Sequence, residues 1–210
     1  MNGVIMKLLN KAAIFCLSVT ALPIVAHADE IRIGIMAHGV DVPLSDVNGG
    51  KEDGVSITGE YIFDTPNWTK WTLGARPYIY GSVNLAGNTS HGGVGLNWRR
   101  SFWDRFYAEI GGGFSVHDGT KRITLPSQAE LLNLTFEQRT ALLALIFARR
   151  NNEIQFGSRV QFRAQGAIGY KLGDQWSAEF AYEHLSNGQI LGGPENDGLD
   201  SLGLRLARTF

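Results

Sequence analysis

The sequence predicts an all-β fold, an eight-stranded antiparallel transmembrane β-barrel of the outer membrane. Eight segments alternate apolar and polar residues with a period of two, as a strand with one apolar face does. They run to about ten residues or more, the length that a tilted strand needs to cross a bilayer. Connections after odd-numbered segments are long and those after even-numbered segments are short, the pattern of external loops and periplasmic turns in such barrels.

The predicted strands follow one another along the whole chain after residue 28. They lie at about residues 31–38, 55–63, 71–80, 93–99, 106–117, 159–171, 176–183 and 201–210. Long connections are predicted at 41–53, 83–90, 118–157 and 188–197, and short ones at 64–70, 100–104 and 172–175. The apolar faces begin or end in Trp, Tyr or Phe, as the aromatic girdle of a membrane barrel does, and the last strand ends on Phe210.

Residues 1–28 have the composition of a signal peptide. Lys7 and Lys11 precede an apolar run, and the segment ends in the small-x-small pattern Ala26-His27-Ala28 that a signal peptidase recognises. The apolar run is too short for a transmembrane helix. Cleavage after this pattern leaves residues 29–210 as one barrel domain, which we expect in the bacterial outer membrane.

Composition narrows the classes of partner. The only cysteine, Cys16, lies in the predicted signal peptide, so we expect no disulfide and no cysteine metal site in the mature chain. The balance of 19 basic and 20 acidic residues argues against a nucleic-acid partner. The spacing of His, Asp and Glu suggests no metal ligand set, and there is no phosphate-binding loop, so neither a metal nor another cofactor is expected.

The polar faces of the strands predict a filled lumen. A barrel of eight strands has an interior only wide enough for its own side chains. Its predicted polar face carries both charges, in Arg32, Arg76, Arg99, Arg159, Arg163, Arg205, Glu60, Glu109, Glu179 and Glu183. Charges of both signs in a narrow lumen of low dielectric predict paired, space-filling side chains, which argues against a pore.

The third long connection, 118–157, departs from the strand pattern. Its Leu-rich part, Ser127 to Asn151, has a helix start at Pro126 and a helix end at Arg149-Arg150. Two interpretations stay open: a helical loop that folds over the barrel mouth, or an interfacial helix that contacts lipid with the help of its terminal arginines.

The stretch Tyr182–Asn187 carries a base and a hydroxyl two residues apart. His184 and Ser186 share one strand face because alternate residues point the same way. They continue the lipid-facing apolar series of the seventh strand, and Asp200 continues that of the eighth. If the chain turns after Asn187 and pairs back, the three residues meet on the lipid face near the external interface. They are the groups of a Ser-His-acid hydrolase.

A purely structural interpretation is that these polar residues only mark the boundary between the hydrocarbon and the headgroup region of the membrane. A second cluster of similar chemistry, Ser115-Val116-His117-Asp118, follows the lumen-facing parity of the fifth strand, where lipid does not reach. We interpret that cluster as structural, and His38 and His91 as lumen or loop residues.

The residues of the site resemble a known family. The run His184-Leu185-Ser186-Asn187-Gly188, with Pro194-Glu195-Asn196-Asp197-Gly198-Leu199-Asp200-Ser201 after it, is similar to the His-x-Ser-Asn and Asn-Asp-Gly-x-Glu motifs of lipid A 3-O-deacylases of the PagL type. Gly157-Ser158-Arg159-Val160-Gln161-Phe162 is similar to the sixth strand of that family. Its members are eight-stranded outer-membrane barrels, so the resemblance implies the fold that the alternation predicts.

The resemblance also implies roles for individual residues. Ser186 would be the nucleophile, and His184 the general base and then the acid toward the leaving sugar hydroxyl. Asn196, with a backbone N–H near Gly188, would hold the oxyanion, and Asn187 would brace the loop.

The acid is the point of departure from the family pattern. The usual Glu is matched by Asp200, which is one methylene shorter, and Glu195 or Asp197 stays open as an alternative. The resemblance implies an outer-membrane esterase that removes the 3-O-linked hydroxyacyl chain from lipid A of lipopolysaccharide in the outer leaflet. The alternatives are a non-enzymatic small barrel, either an adhesin or a loop-binding protein, and an outer-membrane phospholipase. Acyl-chain preference and a homodimer are left open.

Overall fold

The structure, a computed structural model, describes residues 28–42 and 51–210, which form a closed barrel of eight strands. Each strand pairs antiparallel with the next, and β8 pairs with β1. The strands are β1 Ala28–His38, β2 Val55–Phe63, β3 Arg76–Asn84, β4 His91–Ser101, β5 Phe106–His117, β6 Val160–Lys171, β7 Trp176–Ser186 and β8 Leu199–Thr209. The predicted fold class is confirmed, while residues 1–27 of the predicted signal peptide lie outside the described residues.

Burial alternates along the strands as the sequence predicts. In β6, Gln161, Arg163 and Gln165 are buried inside the barrel, while Val160 and Ile168 are exposed on its outside. Strands β2, β3 and β7 repeat this alternation, whereas the glycine-rich β4 does not. The barrel carries exposed apolar side chains on its outer surface and buried polar side chains in its lumen.

The connections divide between two ends of the barrel. One end, called the loop end below, carries residues 39–42, 51–54, 85–90, 118–159 and 187–198. The other, the turn end, carries residues 64–75, 102–105 and 172–175. In outer-membrane barrels the longer loops are external, so we expect the loop end to be the external one.

The third strand begins later than predicted. Trp71 lies in the 3-10 turn Asn67–Thr72, and β3 starts only at Arg76. The Thr69 hydroxyl donates to the Pro66 carbonyl at 2.9 Å, a local bond that competes with strand pairing. The turn-end connection 64–75 is therefore longer than the loop-end connection 85–90, and the predicted alternation in length is wrong at this position.

The lumen is filled by a network of ion pairs, as predicted. Arg32, fully buried, donates to Glu30 at 2.5 Å, to Glu60 at 3.0 Å and to Glu109 at 2.6 Å. Three further arginines join the same acids and their neighbours: Arg99, Arg163 and Arg205. The ion pairs and hydrogen bonds of these side chains offset the free-energy cost of burying their charges. The paired side chains therefore fill the lumen instead of lining a channel.

The predicted lumen set needs two corrections, one removal and one addition. Arg159 is exposed at the loop end, where it donates to the backbone carbonyls of His117 and Gly119, because β6 begins one residue later. Glu30 was not predicted, yet it is 1% exposed and accepts from Arg99 at 2.7 Å.

The second Ser/His cluster lies in the lumen, as its parity predicts. Ser115 accepts a hydrogen bond from Tyr80 at 2.8 Å, and the Tyr80 hydroxyl lies 3.1 Å from His91 Nδ1. His117 Nε2 contacts the Ser158 carbonyl oxygen at 2.8 Å. These contacts are those of a packed, buried polar layer.

Glu52 joins three connections at the loop end. Its carboxylate accepts from the backbone N–H groups of Thr89 at 2.9 Å and Ile154 at 3.2 Å, and His38 Nε2 lies 3.4 Å away. Burial raises the pKa of Glu52, but these hydrogen bonds outweigh burial and leave the pKa below its usual value. The ionised carboxylate therefore clamps the loop end.

The connection 118–159 contains two helices where the sequence predicts one. They are α1, Gln128–Leu132, and α2, Phe136–Asn152. The break occurs because Thr135 forms a second capping box with Gln138 and starts a new helix. In the described ranges, neither helix nor any other is long and apolar enough to cross a membrane.

Candidate active site

His184 and Ser186 are the last two residues of β7 whose side chains lie on the outer face of the barrel. Both are half-buried, while the alternate residues Glu183 and Leu185 are buried toward the barrel interior. The side chains of His184 and Ser186 therefore point to the lipid side at the loop end, as strand parity predicts. Among the described residues, no hydrogen bond links Ser186 Oγ to the imidazole. The structure gives this pair a common face, and catalytic hydrogen bonds commonly tighten only when substrate binds.

Asp200 lies directly opposite His184 in the β7–β8 pairing. His184 Nδ1 is 2.8 Å from Asp200 Oδ1, and the carboxylate is 1% exposed. The two alternative acids are engaged elsewhere. Glu195 pairs with Arg122 at 3.2 Å, and Asp197 accepts from Lys51 at 2.7 Å. Of the three candidate acids, the structure brings Asp200 to the imidazole.

Tyr182 completes this group and was missed at the level of sequence. Its hydroxyl donates to Asp200 Oδ1 at 2.6 Å, the oxygen that also contacts His184. Its place two residues before His184, on the same outward series, was the available signal. A tyrosine there is ordinarily assigned to the aromatic girdle, so the signal did not distinguish a site residue.

The turn after β7 is held by Asn187, which is fully buried. Its Nδ2 donates to the carbonyl oxygens of Phe156 at 2.9 Å and Glu195 at 2.7 Å, and its Oδ1 accepts from the backbone of Gln189 at 2.6 Å. Asn196 Oδ1 accepts from the Asn187 backbone N–H at 2.7 Å. These bonds join the turn after β7 to Phe156, Glu195 and Asn196, and the bracing role of Asn187 stays a prediction.

Two donors next to Ser186 stay available for a ligand. The Nδ2 of Asn196 and the backbone N–H of Gly188 donate to no group within residues 28–42 and 51–210. Gly188 has φ +60°, a left-handed conformation that glycine adopts without strain.

The returning part of the connection 118–159 packs directly against this loop. The backbone N–H of Gln155 donates to Asp197 Oδ2 at 2.9 Å, and its carbonyl accepts from the Asp197 N–H at 3.1 Å. A Cβ at Gly157 would lie 2.0 Å from the Glu195 carbonyl oxygen, so the two segments touch at a glycine. The sequence predicts no firm role for this insertion. In the structure, its residues 155–157 pack against the loop 187–198, which follows Ser186.

Four apolar residues form a small core beneath the site. Leu185 and Leu199, which neighbour His184 and Asp200 on the opposite face of their strands, pack with Ile154 and Phe156. All four are at most 1% exposed. This cluster fills the space on the inner side of the strands that carry His184 and Asp200.

A depression of small residues lies beside the site on the outer surface. Ala164 pairs opposite His184 and Gly112 opposite Ala164, while Gly166 pairs opposite Tyr182. A Cβ at Gly112 or Gly166 would meet no atom closer than 3.7 Å, so a small side chain would fit at either position in ordinary van der Waals contact. Phe162, the pairing partner of Ser186, forms one wall of this depression together with Phe114, at 5.3 Å between ring centroids.

Comparisons with known proteins agree with this architecture. The sequence model of the PagL family, described as lipid A 3-O-deacylase, matches residues 51–209, which include every residue of the site. The crystal structure of the outer membrane enzyme PagL is similar with a TM-score of 0.51 and 12% identity, over 86% of this chain and 99% of that one. The crystal structure of Neisserial surface protein A has a TM-score of 0.50 and 8% identity, over 86% and 96% of the two chains.

The two structural likenesses show the barrel fold, and the family match adds the kind of protein. A search of individual curated proteins gave no match. A family model that covers β2 to β8 leaves only β1 of the barrel outside it. The chain therefore belongs to the PagL family of lipid A 3-O-deacylases, which are outer-membrane enzymes.

Proposed function

We propose that this enzyme hydrolyses the ester of the 3-O-linked hydroxyacyl chain of lipid A by a Ser-His-acid mechanism. The observation that carries the proposal is the contact of 2.8 Å between His184 and Asp200 on the lipid face, with Ser186 two residues along the same series. A nucleophile on the outer surface of a membrane barrel meets lipid and not a water-borne substrate. Family membership supports lipid A as that lipid.

The first chemical step follows from the positions of these groups. His184 Nε2 takes the proton from Ser186 Oγ, and Oγ attacks the carbonyl carbon of the ester. Asp200, which accepts from Nδ1, holds the imidazole in the tautomer that leaves Nε2 free and stabilises the imidazolium that forms. The negative charge then moves to the former carbonyl oxygen.

The oxyanion falls next to the two available donors. Asn196 Nδ2 and the Gly188 N–H would donate to it, and fixed donors at this point stabilise the transition state more than the ground state. As the tetrahedral intermediate collapses, the bond between the carbonyl carbon and the sugar O3 breaks, and His184 gives its proton to O3, which leaves as the 3-hydroxyl. A water molecule, deprotonated by the same imidazole, then releases the hydroxy fatty acid from Ser186.

The outer depression beside the site suits an acyl chain. Its small residues, Gly112, Ala164 and Gly166, leave room for methylene groups next to His184, and the wall of Phe162 and Phe114 is apolar. A chain in this position would place its ester carbonyl near Ser186. The same shape would accept a phospholipid chain, so an outer-membrane phospholipase is the competing function. The family match speaks against a purely non-enzymatic barrel.

The test is mass spectrometry of lipid A from cells that express the wild type, Ser186→Ala or Ser115→Ala. We expect the wild type and Ser115→Ala to remove one hydroxyacyl chain, because Ser115 faces the lumen, and Ser186→Ala to remove none. The matched control shows that loss of any serine hydroxyl is insufficient. Deacylation by a folded Ser186→Ala barrel would exclude this nucleophile. Intact lipid A with hydrolysed phospholipid in the wild type would establish the phospholipase instead.

A further inference from the structure

We propose that Tyr182 is a positioning residue of this active site, which fixes the Asp200 carboxylate in the orientation that His184 requires. This role rests on the proposed function, in which Asp200 orients the imidazole. It adds a fourth side chain to the Ser-His-acid group, one that touches neither the nucleophile nor the reacting ester.

The contacts converge on one oxygen atom. The Tyr182 hydroxyl donates to Asp200 Oδ1 at 2.6 Å, and His184 Nδ1 lies 2.8 Å from the same atom. His184 is the direct cross-strand partner of Asp200, and Tyr182 occupies the preceding outward position of β7. That diagonal position is within reach of an aromatic side chain but not of a short one.

The site has a physical need for such a second donor. The terminal torsion of an aspartate is broad and roughly two-fold, so a single hydrogen bond leaves the carboxylate free to rotate. Two donors on one oxygen remove that freedom and hold Oδ1 toward the imidazole. The shorter acid in this chain makes the constraint matter more, because it has no additional methylene with which to adapt its reach.

The burial of Asp200 is a second reason for a hydrogen-bond donor at its carboxylate. Asp200 is 1% exposed on the lipid side of the barrel, where an ionised carboxylate is costly without hydrogen bonds. A tyrosine hydroxyl stabilises the carboxylate without bringing a second charge to the lipid face. Glu60 and Glu183, in contrast, are buried in the lumen and pair there with Arg163.

The experiment compares Tyr182→Phe with Tyr170→Phe, in detergent-purified barrels whose folding is checked by heat-modifiable migration in gels. Tyr170 is also on the outward face, but it lies at the turn end of β6. For Tyr182→Phe we expect kcat on lipid A to fall about tenfold, the effect of losing one hydrogen bond to a charged group, with KM within about twofold. Tyr170→Phe should match the wild type.

A second readout does not depend on lipid A. A fluorophosphonate probe labels an activated serine, so the rate of labelling at Ser186 should fall by the same factor in Tyr182→Phe. Tyr182→Met, which keeps an apolar side chain but has no hydroxyl, should behave likewise if the phenylalanine variant folds poorly. In an Asp200→Asn background, Tyr182→Phe should cause no additional fall, because the tyrosine acts through the acid.

The outcomes separate the two proposals. A wild type that reacts with the probe but leaves lipid A intact contradicts the proposed substrate, while the labelling rates still test Tyr182. Unchanged kcat and labelling in Tyr182→Phe would overturn its positioning role and leave the proposed function standing. The role would also be overturned if Tyr182→Phe lowered kcat equally in the Asp200→Asn background, since the tyrosine would then not act through the acid. A raised KM at constant kcat would overturn it too, since that result indicates a contact with substrate.

Discussion

At the scale of single residues, the site depends on the place of Asp200 in the β7–β8 ladder. Direct pairing with His184 brings the carboxylate to 2.8 Å from the imidazole, so an aspartate reaches where the family pattern has a glutamate. Glu195 and Asp197 instead form ion pairs with cations on other connections, Glu195 with Arg122 and Asp197 with Lys51. The strand register therefore allows the shorter acid to reach the imidazole.

A second single residue, Glu52, controls the loop end. Its pKa lies below the ordinary carboxyl value of 4.5, so the native state favours the ionised form. The resulting stabilisation is fully present above the unfolded pKa and is lost as the pH falls through the lower, folded pKa. Protonation removes the clamp on the backbone of Thr89 and Ile154.

We therefore expect Glu52→Gln to loosen the loop end at neutral pH by about 1–3 kcal/mol, the cost of hydrogen bonds to a charged group. Limited proteolysis at neutral pH should cleave the connections 85–90 and 118–159 faster in the variant than in the wild type. The difference should shrink well below pH 4.5, where Glu52 of the wild type is itself protonated. Equal cleavage at neutral pH would show that the carboxylate does not hold these loops.

At the scale of elements, the connection 118–159 is part of the site's support. Its returning residues Gln155 and Phe156 bond to the loop 187–198, and Gly157 touches that loop at a position without room for a Cβ. A displacement of this segment would move Asn196 and Gly188 relative to Ser186.

We expect Gly157→Ala to lower kcat on lipid A by about 10²-fold, because a shift of about 1 Å at a catalytic group has that effect. Gly87→Ala is the matched control. Gly87 also has a positive φ, +85°, but a Cβ there would meet nothing within 4 Å. The control therefore tests backbone strain alone. Similar losses of activity in both variants would show that the contact with Glu195 is not what matters.

The β5–β6–β7 surface is the second element with a testable role. Gly166 pairs with Tyr182, and a Cβ there would meet no atom closer than 3.8 Å, so we expect a leucine to fill the depression without disturbing the barrel. For Gly166→Leu we expect kcat/KM to fall about tenfold on lipid A with long acyl chains and less with short ones. Each methylene displaced from an apolar site costs about 0.8 kcal/mol. Ala178→Leu, an outward change near the turn end of β7, should leave both substrates unaffected.

At the scale of the whole molecule, stability depends on the lumen. Arg32 contacts Glu30, Glu60 and Glu109, which come from three different strands. Removal of one partner from such a buried network leaves uncompensated charge, which is more damaging than the loss of a surface pair.

We predict that Arg32→Met destabilises the folded barrel by about 3–5 kcal/mol. Urea unfolding in lipid vesicles, followed by tryptophan fluorescence, measures the change. Arg208→Met is the control, since Arg208 lies on the outside over the Trp176 ring and its loss should cost at most about 1 kcal/mol. A lumen variant as stable as this control would mean that the ion pairs only fill space.

Much of this architecture could be predicted from the chain. Alternation with a period of two assigns each strand residue to lipid or lumen, which placed His184 and Ser186 outside and Ser115 inside. The third strand was misplaced because Trp71 and Leu73 fit the alternation but are held in a local turn. The single predicted helix was wrong because Thr135 begins a second one.

The sequence by itself determined the barrel, the face of each strand residue and the motif that relates the chain to its family, because parity and motifs are local properties. Only the tertiary structure decided which acid meets His184, that Tyr182 shares its oxygen, and that residues 154–157 support the loop 187–198. Those relations join residues far apart in the chain or on different strands. They depend on register and loop packing, which local patterns do not encode.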